Sequence, residues 1–171
     1  MFDLDIITLS MAMVAIIAFI MPFYLNNKKE KARVALAEKL LADFEKNQQL
    51  HIQVKDLWRN KYFIGMDPKK GKLIYSEDIH SCSPVLIDLL LINNVRIKEE
   101  SHKVASPTSS RKVIDKLELL FYSEKAELVH TIEFYDGETF SDLLGETILI
   151  KKWETEIIAS IHQQAKMALV K

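Results

Sequence analysis

The residue types that perform metal and nucleophilic chemistry are few in this sequence and lie far apart. The only cysteine is Cys82, and the histidines stand at positions 51, 80, 102, 130 and 162. None of their spacings is typical of a zinc site. His80 lies near Cys82 in sequence, but nucleophilic catalysis needs a thiol and an imidazole that meet in space beside an orienting group. We therefore predict no metal site and no catalytic cysteine.

The carboxylates also lack a catalytic or calcium-binding pattern. Glu99 and Glu100 are adjacent in a predicted strand, so their side chains point to opposite faces. The window that begins at Asp67 has Lys69 and Gly71 where a calcium loop needs oxygen ligands. The glycine-rich patterns of nucleotide and serine-hydrolase sites are absent from the sequence. The sequence predicts no cofactor and no enzymatic activity, and an enzyme with a site assembled from distant residues is a remote alternative.

Basic side chains form two candidate contacts for lipid headgroups or other anions. The first set follows an apolar segment and comprises Lys28, Lys29, Lys31 and Arg33. The second set lies around a predicted hairpin and comprises Lys61, Lys70 and Lys72. The net charge is −1, and no basic stripe with interleaved aromatic residues is present, so nucleic acid is not a predicted partner.

Residues 6–25 form an uncharged apolar segment that determines how the rest of the chain is organised. At about 1.5 Å of rise per residue, the segment is about 30 Å long as a helix, which matches the hydrocarbon core of a bilayer. A cleaved signal peptide is a weaker interpretation, because Asp3 and Asp5 stand where such a peptide has basic residues. The sequence predicts one transmembrane helix within an anchor region, residues 1–27.

Charge predicts the orientation of this span. Lys28, Lys29, Lys31 and Arg33 follow it closely, and no basic residue precedes it. The positive-inside rule then places the short N-terminus outside and the following domain in the cytoplasm, with the chain in the plasma (inner) membrane. A single cysteine, which permits no disulfide within the chain, suits a reducing cytoplasm.

Residues 28–50 are predicted to form a juxtamembrane helix. Val34, Ala37, Leu41 and Phe44 recur at heptad-like steps of three and four residues. This pattern lasts only about two heptads, and a coiled-coil assignment needs three or more. Two interpretations remain open: the stripe packs on the chain's own domain, or it forms a short dimerising coil.

Residues 51–171 are predicted to form one α+β domain. Apolar runs at residues 62–66, 72–76, 85–92, 95–99, 113–122 and 127–135 predict antiparallel strands, and turn residues at 67–71 join the first two as a hairpin. Residues 101–110 are rich in Ser, Thr and Pro and are predicted to be an exposed loop. Ser141 is the predicted N-cap of a C-terminal amphipathic helix whose apolar face includes Trp153, Ile157 and Ile161.

This succession of elements resembles the pleckstrin-homology-like (PH-like) fold. The residues that carry the resemblance are the hairpin at 62–66 and 73–75 and the helical stretch 146–153. The resemblance implies a sheet or partly open barrel of about six to seven strands capped by the helix, with Trp153 as the plug of the core. It also implies binding of peptides, proteins or phosphoinositides; in the family's headgroup pattern, an arginine stands where this sequence ends with Lys72.

The whole plan, one span followed by a small domain, resembles that of many single-pass bacterial membrane proteins of unassigned function. The sequence therefore predicts an α+β protein with a membrane anchor, whose cytoplasmic domain binds a protein partner or the membrane surface. The alternative is a structural subunit of a membrane complex, or a homo-oligomer, assembled through the span and the juxtamembrane helix. The predicted partners are the lipid bilayer and a protein, without nucleic acid or metal.

Overall fold

The computed structural model describes residues 6–79, 84–106 and 109–169. The chain divides into two compact units, Met1–Phe44 and Glu45–Lys171. The described part of the first unit belongs to one long helix, and the second unit contains the β-strands and the C-terminal helix. His80 and Cys82 lie outside the described residues.

Helix α1 (Ile6–Asn47) runs without interruption through the predicted span and the predicted juxtamembrane segment, with Pro22 inside it. Its large apolar side chains between Leu9 and Leu25 are exposed. Among the described residues, α1 is the one helix long and apolar enough to cross a membrane. The helix ends where Gln49 adopts a left-handed backbone (φ 54°) and the Leu50 N–H donates to the Glu45 carbonyl at 2.8 Å.

The second unit contains two antiparallel sheets where one sheet or partly open barrel was predicted, and no closed barrel forms among the described residues. The four-stranded sheet has the order β1 (Val54–Trp58), β2 (Tyr62–Asp67), β3 (Lys72–Ser76) and β4 (Val85–Asp88). A short 3₁₀ helix (Leu89–Leu91) follows, and the three-stranded sheet has the order β5 (Asn94–Ser106), β6 (Ser109–Tyr122) and β7 (Leu128–Asp136). The architecture is therefore α+β.

Aromatic side chains explain why the two sheets meet without a continuous backbone ladder. The Trp58 indole N–H donates to the Phe134 carbonyl at 3.0 Å, and the Tyr75 hydroxyl donates to the Glu133 carbonyl at 2.8 Å. Side chains of the first sheet thus satisfy carbonyl groups of β7. The ring of Trp58 also stacks on those of Tyr62 and Phe134, with centroids 5.2 and 4.9 Å apart. This aromatic stack joins side chains of both sheets.

The prediction of a loop at 101–110 is wrong for the residues that the structure describes there, because they belong to the paired strands β5 and β6; residues 107 and 108 lie outside the described residues. The β5–β6 ladder continues from Asn94↔Tyr122 as far as Ser106↔Ser109. Cross-strand ion pairs support the ribbon: the Lys112 ammonium contacts Glu99, and Lys98 contacts Glu118 at 3.2 Å. The Ser, Thr and Pro content of this segment predicted a loop, but pairing between the two chain segments stabilises strands here despite their low intrinsic strand propensity.

Helix α2 (Glu146–Leu169) covers the core. The predicted N-cap, Ser141, is wrong: the Ile148 and Leu149 N–H groups donate to the carbonyl of Gly145, which occupies the cap position. Gly145 precedes it with φ 110°, a backbone conformation that a residue with a Cβ rarely adopts. Trp153 is fully buried, and its indole N–H donates to the Asp56 carboxylate at 2.9 Å. Ile150 and Ile157 are buried on the same face, so the apolar side of α2 forms part of the core.

Candidate interaction surface

The lysines of the predicted headgroup site do not converge. Lys61 lies immediately before β2, whereas Lys70 and Lys72 lie at its other end, beside the β2–β3 turn. At about 3.3 Å per strand residue, the two ends of β2 are roughly 20 Å apart. One headgroup cannot contact both. Each ammonium also has a partner within the domain: Lys61 donates to the Tyr62 hydroxyl at 3.3 Å, Lys70 to the Gln49 carbonyl, and Lys72 pairs with Asp88 at 2.6 Å.

The basic residues that follow the span lie on α1. Lys28, Lys29 and Lys31 are exposed there. The side chain of Arg33 lies outside the described part of the chain. These lysines remain candidate contacts for anionic headgroups.

The β2–β3 turn is held by the carboxylate of Asp67, which is only 2% exposed. This carboxylate accepts the backbone N–H groups of Lys69 and Lys70, both at 3.1 Å, and that of His51 at 2.9 Å. From the other side, the Gln164 side-chain amide of α2 donates to the Pro68 carbonyl at 2.6 Å. The turn is therefore fixed between the beginning of the domain and the second half of α2.

Next to this turn, the 3₁₀ helix presents an exposed leucine pair, Leu90 and Leu91. Their side chains are 60% and 69% exposed, whereas the neighbouring Leu89 is 1% exposed. The Asp88 carboxylate caps the 3₁₀ helix by accepting the Leu90 N–H at 3.1 Å, and the Leu89 N–H donates to the Gly71 carbonyl at 2.8 Å. These bonds hold the backbone of the leucine pair in one place while both side chains face solvent.

The leucine pair forms one wall of a groove of about 690 Å³. The opposite wall belongs to α2 and includes Ile161 and Ala165, and Val129 of β7 adds a further apolar surface. Three charged residues of the β6–β7 connection also line it: Glu124, Lys125 and Glu127. The groove is thus apolar along its walls and carries both signs of charge on one side. Its volume is within the range of ligand and peptide sites.

Two titratable groups with shifted pKa values, Tyr62 and Glu118, are held by bonds within the domain. Burial raises the pKa of the Tyr62 hydroxyl, and its hydrogen bond to Glu133 at 2.8 Å raises this pKa further. Burial acts to raise the pKa of the Glu118 carboxyl, but hydrogen bonds from Lys116 and Lys98 outweigh it, so the pKa lies below its usual value. Both groups therefore keep their ordinary charge near neutral pH. In residues 6–79, 84–106 and 109–169, no group of three His, Cys, Asp or Glu side chains could hold a metal ion.

A buried ion pair joins the β1–β2 turn to the beginning of α2. The Arg59 guanidinium contacts the Glu146 carboxylate at 2.5 Å, and their side chains are 9% and 3% exposed. Arg59 also donates to the Asp142 carbonyl and lies over the Phe140 ring at 4.6 Å. The second Glu146 oxygen accepts the Leu144 N–H at 2.6 Å. These contacts give the cluster a structural role, and Arg59 and Glu146 also line a cavity of about 440 Å³.

Sequence reasoning missed both the groove and the Arg59–Glu146 pair. The run 85–92 was predicted to be one strand, but the strand ends at Asp88 and the leucines that follow form the 3₁₀ helix. Asp inside an apolar run is a capping signal that would have indicated this break. For Arg59 no sequence signal exists, because its partner lies 87 residues away.

Comparisons with protein-family models, with curated proteins and with solved structures find no match to this chain.

Proposed function

We propose that this chain is a single-pass membrane protein whose cytoplasmic domain, of the PH-like type, acts by binding an apolar segment of a protein partner. The observation that carries the proposal is the groove between the exposed leucine pair and α2. Two large apolar side chains held rigidly in solvent are costly for a free domain and favourable for a bound one. Burying a Leu side chain contributes about 1.5–3 kcal/mol.

The charges of the groove favour a protein segment over a lipid surface. An anionic bilayer attracts surfaces of uniformly positive charge. Here Glu124 and Glu127 flank Lys125, and the pairing of Lys72 with Asp88 neutralises a further cation. The mixed signs suit a partner that has its own donors, acceptors and charges around an apolar anchor.

The membrane part of the proposal is supported by α1. Its first half is apolar and exposed, and Lys28, Lys29 and Lys31 follow, which favours a cytoplasmic location for the domain. The PH-like assignment is supported by seven antiparallel strands in the described residues, followed by one helix that buries Trp153. The open arrangement of two sheets is the feature that departs from a closed barrel.

We expect a photoreactive amino acid at Leu91 to cross-link the full chain to a partner protein in intact cells. The same amino acid at Leu144, which is 72% exposed but outside the groove, is the matched control. The Leu91 adduct should be one discrete larger species, and Leu90→Asp should reduce it about tenfold, since a desolvated charge costs more than 1.4 kcal/mol.

The mass of the cross-linked adduct shows which molecule occupies the groove: a partner protein, a second copy of the chain or a lipid. A new protein mass that Leu90→Asp abolishes supports the proposal. Twice the chain mass would assign the groove to a second copy, and an adduct carrying only a lipid would assign it to the membrane; either result contradicts the proposal. Equal adducts at Leu91 and Leu144 would show that the groove has no specific occupant.

A second candidate function is that of a structural subunit assembled through α1. The observation that favours it is the continuity of the helix from Ile6 to Asn47, which extends 22 residues, about 33 Å, beyond the predicted span. The apolar stripe of this extension is only half-buried. Helices gain most of their stability from packing, so further burial of the stripe against a partner would stabilise the extension.

A further inference from the structure

The extension of α1 has an apolar stripe without a partner in its own unit. Val34 and Leu41 are separated by seven residues, and Phe44 follows Leu41 by three, so they occupy heptad positions a, a and d. All three side chains are half-buried, whereas Leu36, at position c, is 52% exposed. In its described residues, the Met1–Phe44 unit contains no second element on which this stripe could pack.

Because α1 is unbroken, the heptad phase continues from the extension into the apolar half. Counting back from Val34 places Asn27 at position a, and apolar residues occupy the a and d positions before it: Ile6, Leu9, Met13, Ile16, Ile20 and Phe23. Asn27 and Glu30 are the interruptions, and both lie where the apolar half ends. The apolar half is apolar at nearly every position, so it accommodates this phase without selecting it, and the phase of the seam is set by Val34, Leu41 and Phe44.

We propose that two copies of this chain associate as a parallel, in-register helix pair along α1, through the seam that contains Val34, Leu41 and Phe44. This inference rests on the second candidate function and identifies its partner as a second copy. Two chains anchored in one membrane share their orientation, so equivalent a and d positions meet across the pair.

Asn27 and the flanking charges fix the register of this pair. A single Asn at an a position selects an aligned dimer, because its amide then pairs with the same amide of the other copy. Near the membrane boundary such a bond is also favourable, since Asn side chains hydrogen-bond between membrane helices. In the sequence, Arg33 occupies position g and Glu38 occupies the following position e. In a parallel pair, position g of one helix lies opposite the following position e of the other, so residues of opposite charge face one another there.

Disulfide cross-linking of the full chain in native membranes tests the pair. Single cysteines replace Val34, Leu41 or Phe44 in a Cys82→Ser background, and Leu36→Cys and Asp43→Cys, both at c positions, are the controls. A disulfide needs Cβ atoms about 3.5–4.5 Å apart. The c positions lie on outer faces, separated by more than one helix diameter of about 10 Å. We expect about tenfold more cross-linked dimer at the seam than at the controls, because only the seam brings the two Cβ atoms within disulfide distance.

A charge in the seam gives a second readout. Leu41→Glu should reduce cross-linking at Phe44→Cys about tenfold, and Leu36→Glu, the same change on the outer face, should leave it unchanged. Equal cross-linking at seam and control positions, or none, would overturn the parallel pair. If the chain were absent from the membrane fraction, the anchor itself would be wrong; a chain found there without seam cross-links contradicts only the pair.

Discussion

Replacing Trp153 with alanine is expected to lower the free energy of unfolding of the domain by about 3–5 kcal/mol. Trp153 is fully buried in the core that both sheets and α2 share. Its removal leaves a cavity and takes away the indole N–H that Asp56 accepts at 2.9 Å. Urea unfolding of the full chain in detergent measures the change. The remaining tryptophan, Trp58, lies in the same core and reports unfolding by its fluorescence.

Ile148→Ala is the matched control for this prediction. Ile148 lies on the same helix but is 76% exposed, so its truncation should change the free energy of unfolding by less than about 0.5 kcal/mol. Equal effects at the two positions would show that Trp153 does not occupy the core as described. Trp153→Phe should retain part of the packing and give an intermediate loss.

Arg59→Ala is expected to cost about 3–5 kcal/mol of unfolding free energy, because it leaves the Glu146 carboxylate buried without its cation. The pair is held at 2.5 Å, with both side chains at most 9% exposed. The guanidinium also contacts the Phe140 ring and the Asp142 carbonyl, so the β1–β2 turn would lose its connection to the beginning of α2. The same urea titration, with both tryptophans present, measures this loss.

A double-mutant cycle separates the ion pair from general loss of packing. Arg59→Ala combined with Glu146→Ala should cost less than the sum of the single changes, because the second substitution removes the stranded charge. Glu100→Ala breaks the exposed Lys98–Glu100 pair, whose side chains are 47% and 52% exposed, and should leave the free energy of unfolding nearly unchanged. Additive losses at Arg59 and Glu146 would contradict a direct buried pair.

Local sequence patterns predicted much of the domain. The hairpin of β2 and β3 lies where the turn residues 67–71 indicated, and the face of α2 that contains Trp153 and Ile157 is buried. These features follow from turn chemistry and helical periodicity, which act over a few residues. The separation of the strands into two sheets depends on contacts such as Trp58 with Phe134, which are distant in sequence and have no local signature.

The candidate site was harder to predict, for a physical reason. The run 85–92 has an apolar composition that suits a strand, and only the Asp88 cap converts its second half into a 3₁₀ helix with two leucines in solvent. Grooves form where separate elements meet, here the 3₁₀ helix, β7 and α2. Of the lysines predicted around the hairpin, Lys70 is exposed in the β2–β3 turn, whereas Lys72 is a partly buried residue of β3 that strand length separates from Lys61.

A topology measurement tests the central claim, a membrane anchor that leaves the domain in the cytoplasm. Single cysteines replace Ser101 or Ser141, both exposed, in a Cys82→Ser background. Intact cells are then treated with a membrane-impermeant thiol reagent, before and after lysis. We predict protection of both positions in intact cells, labelling after lysis, and recovery of the chain in the membrane fraction. Labelling of both positions in intact cells would contradict the orientation, and recovery of the chain in the soluble fraction would contradict the anchor.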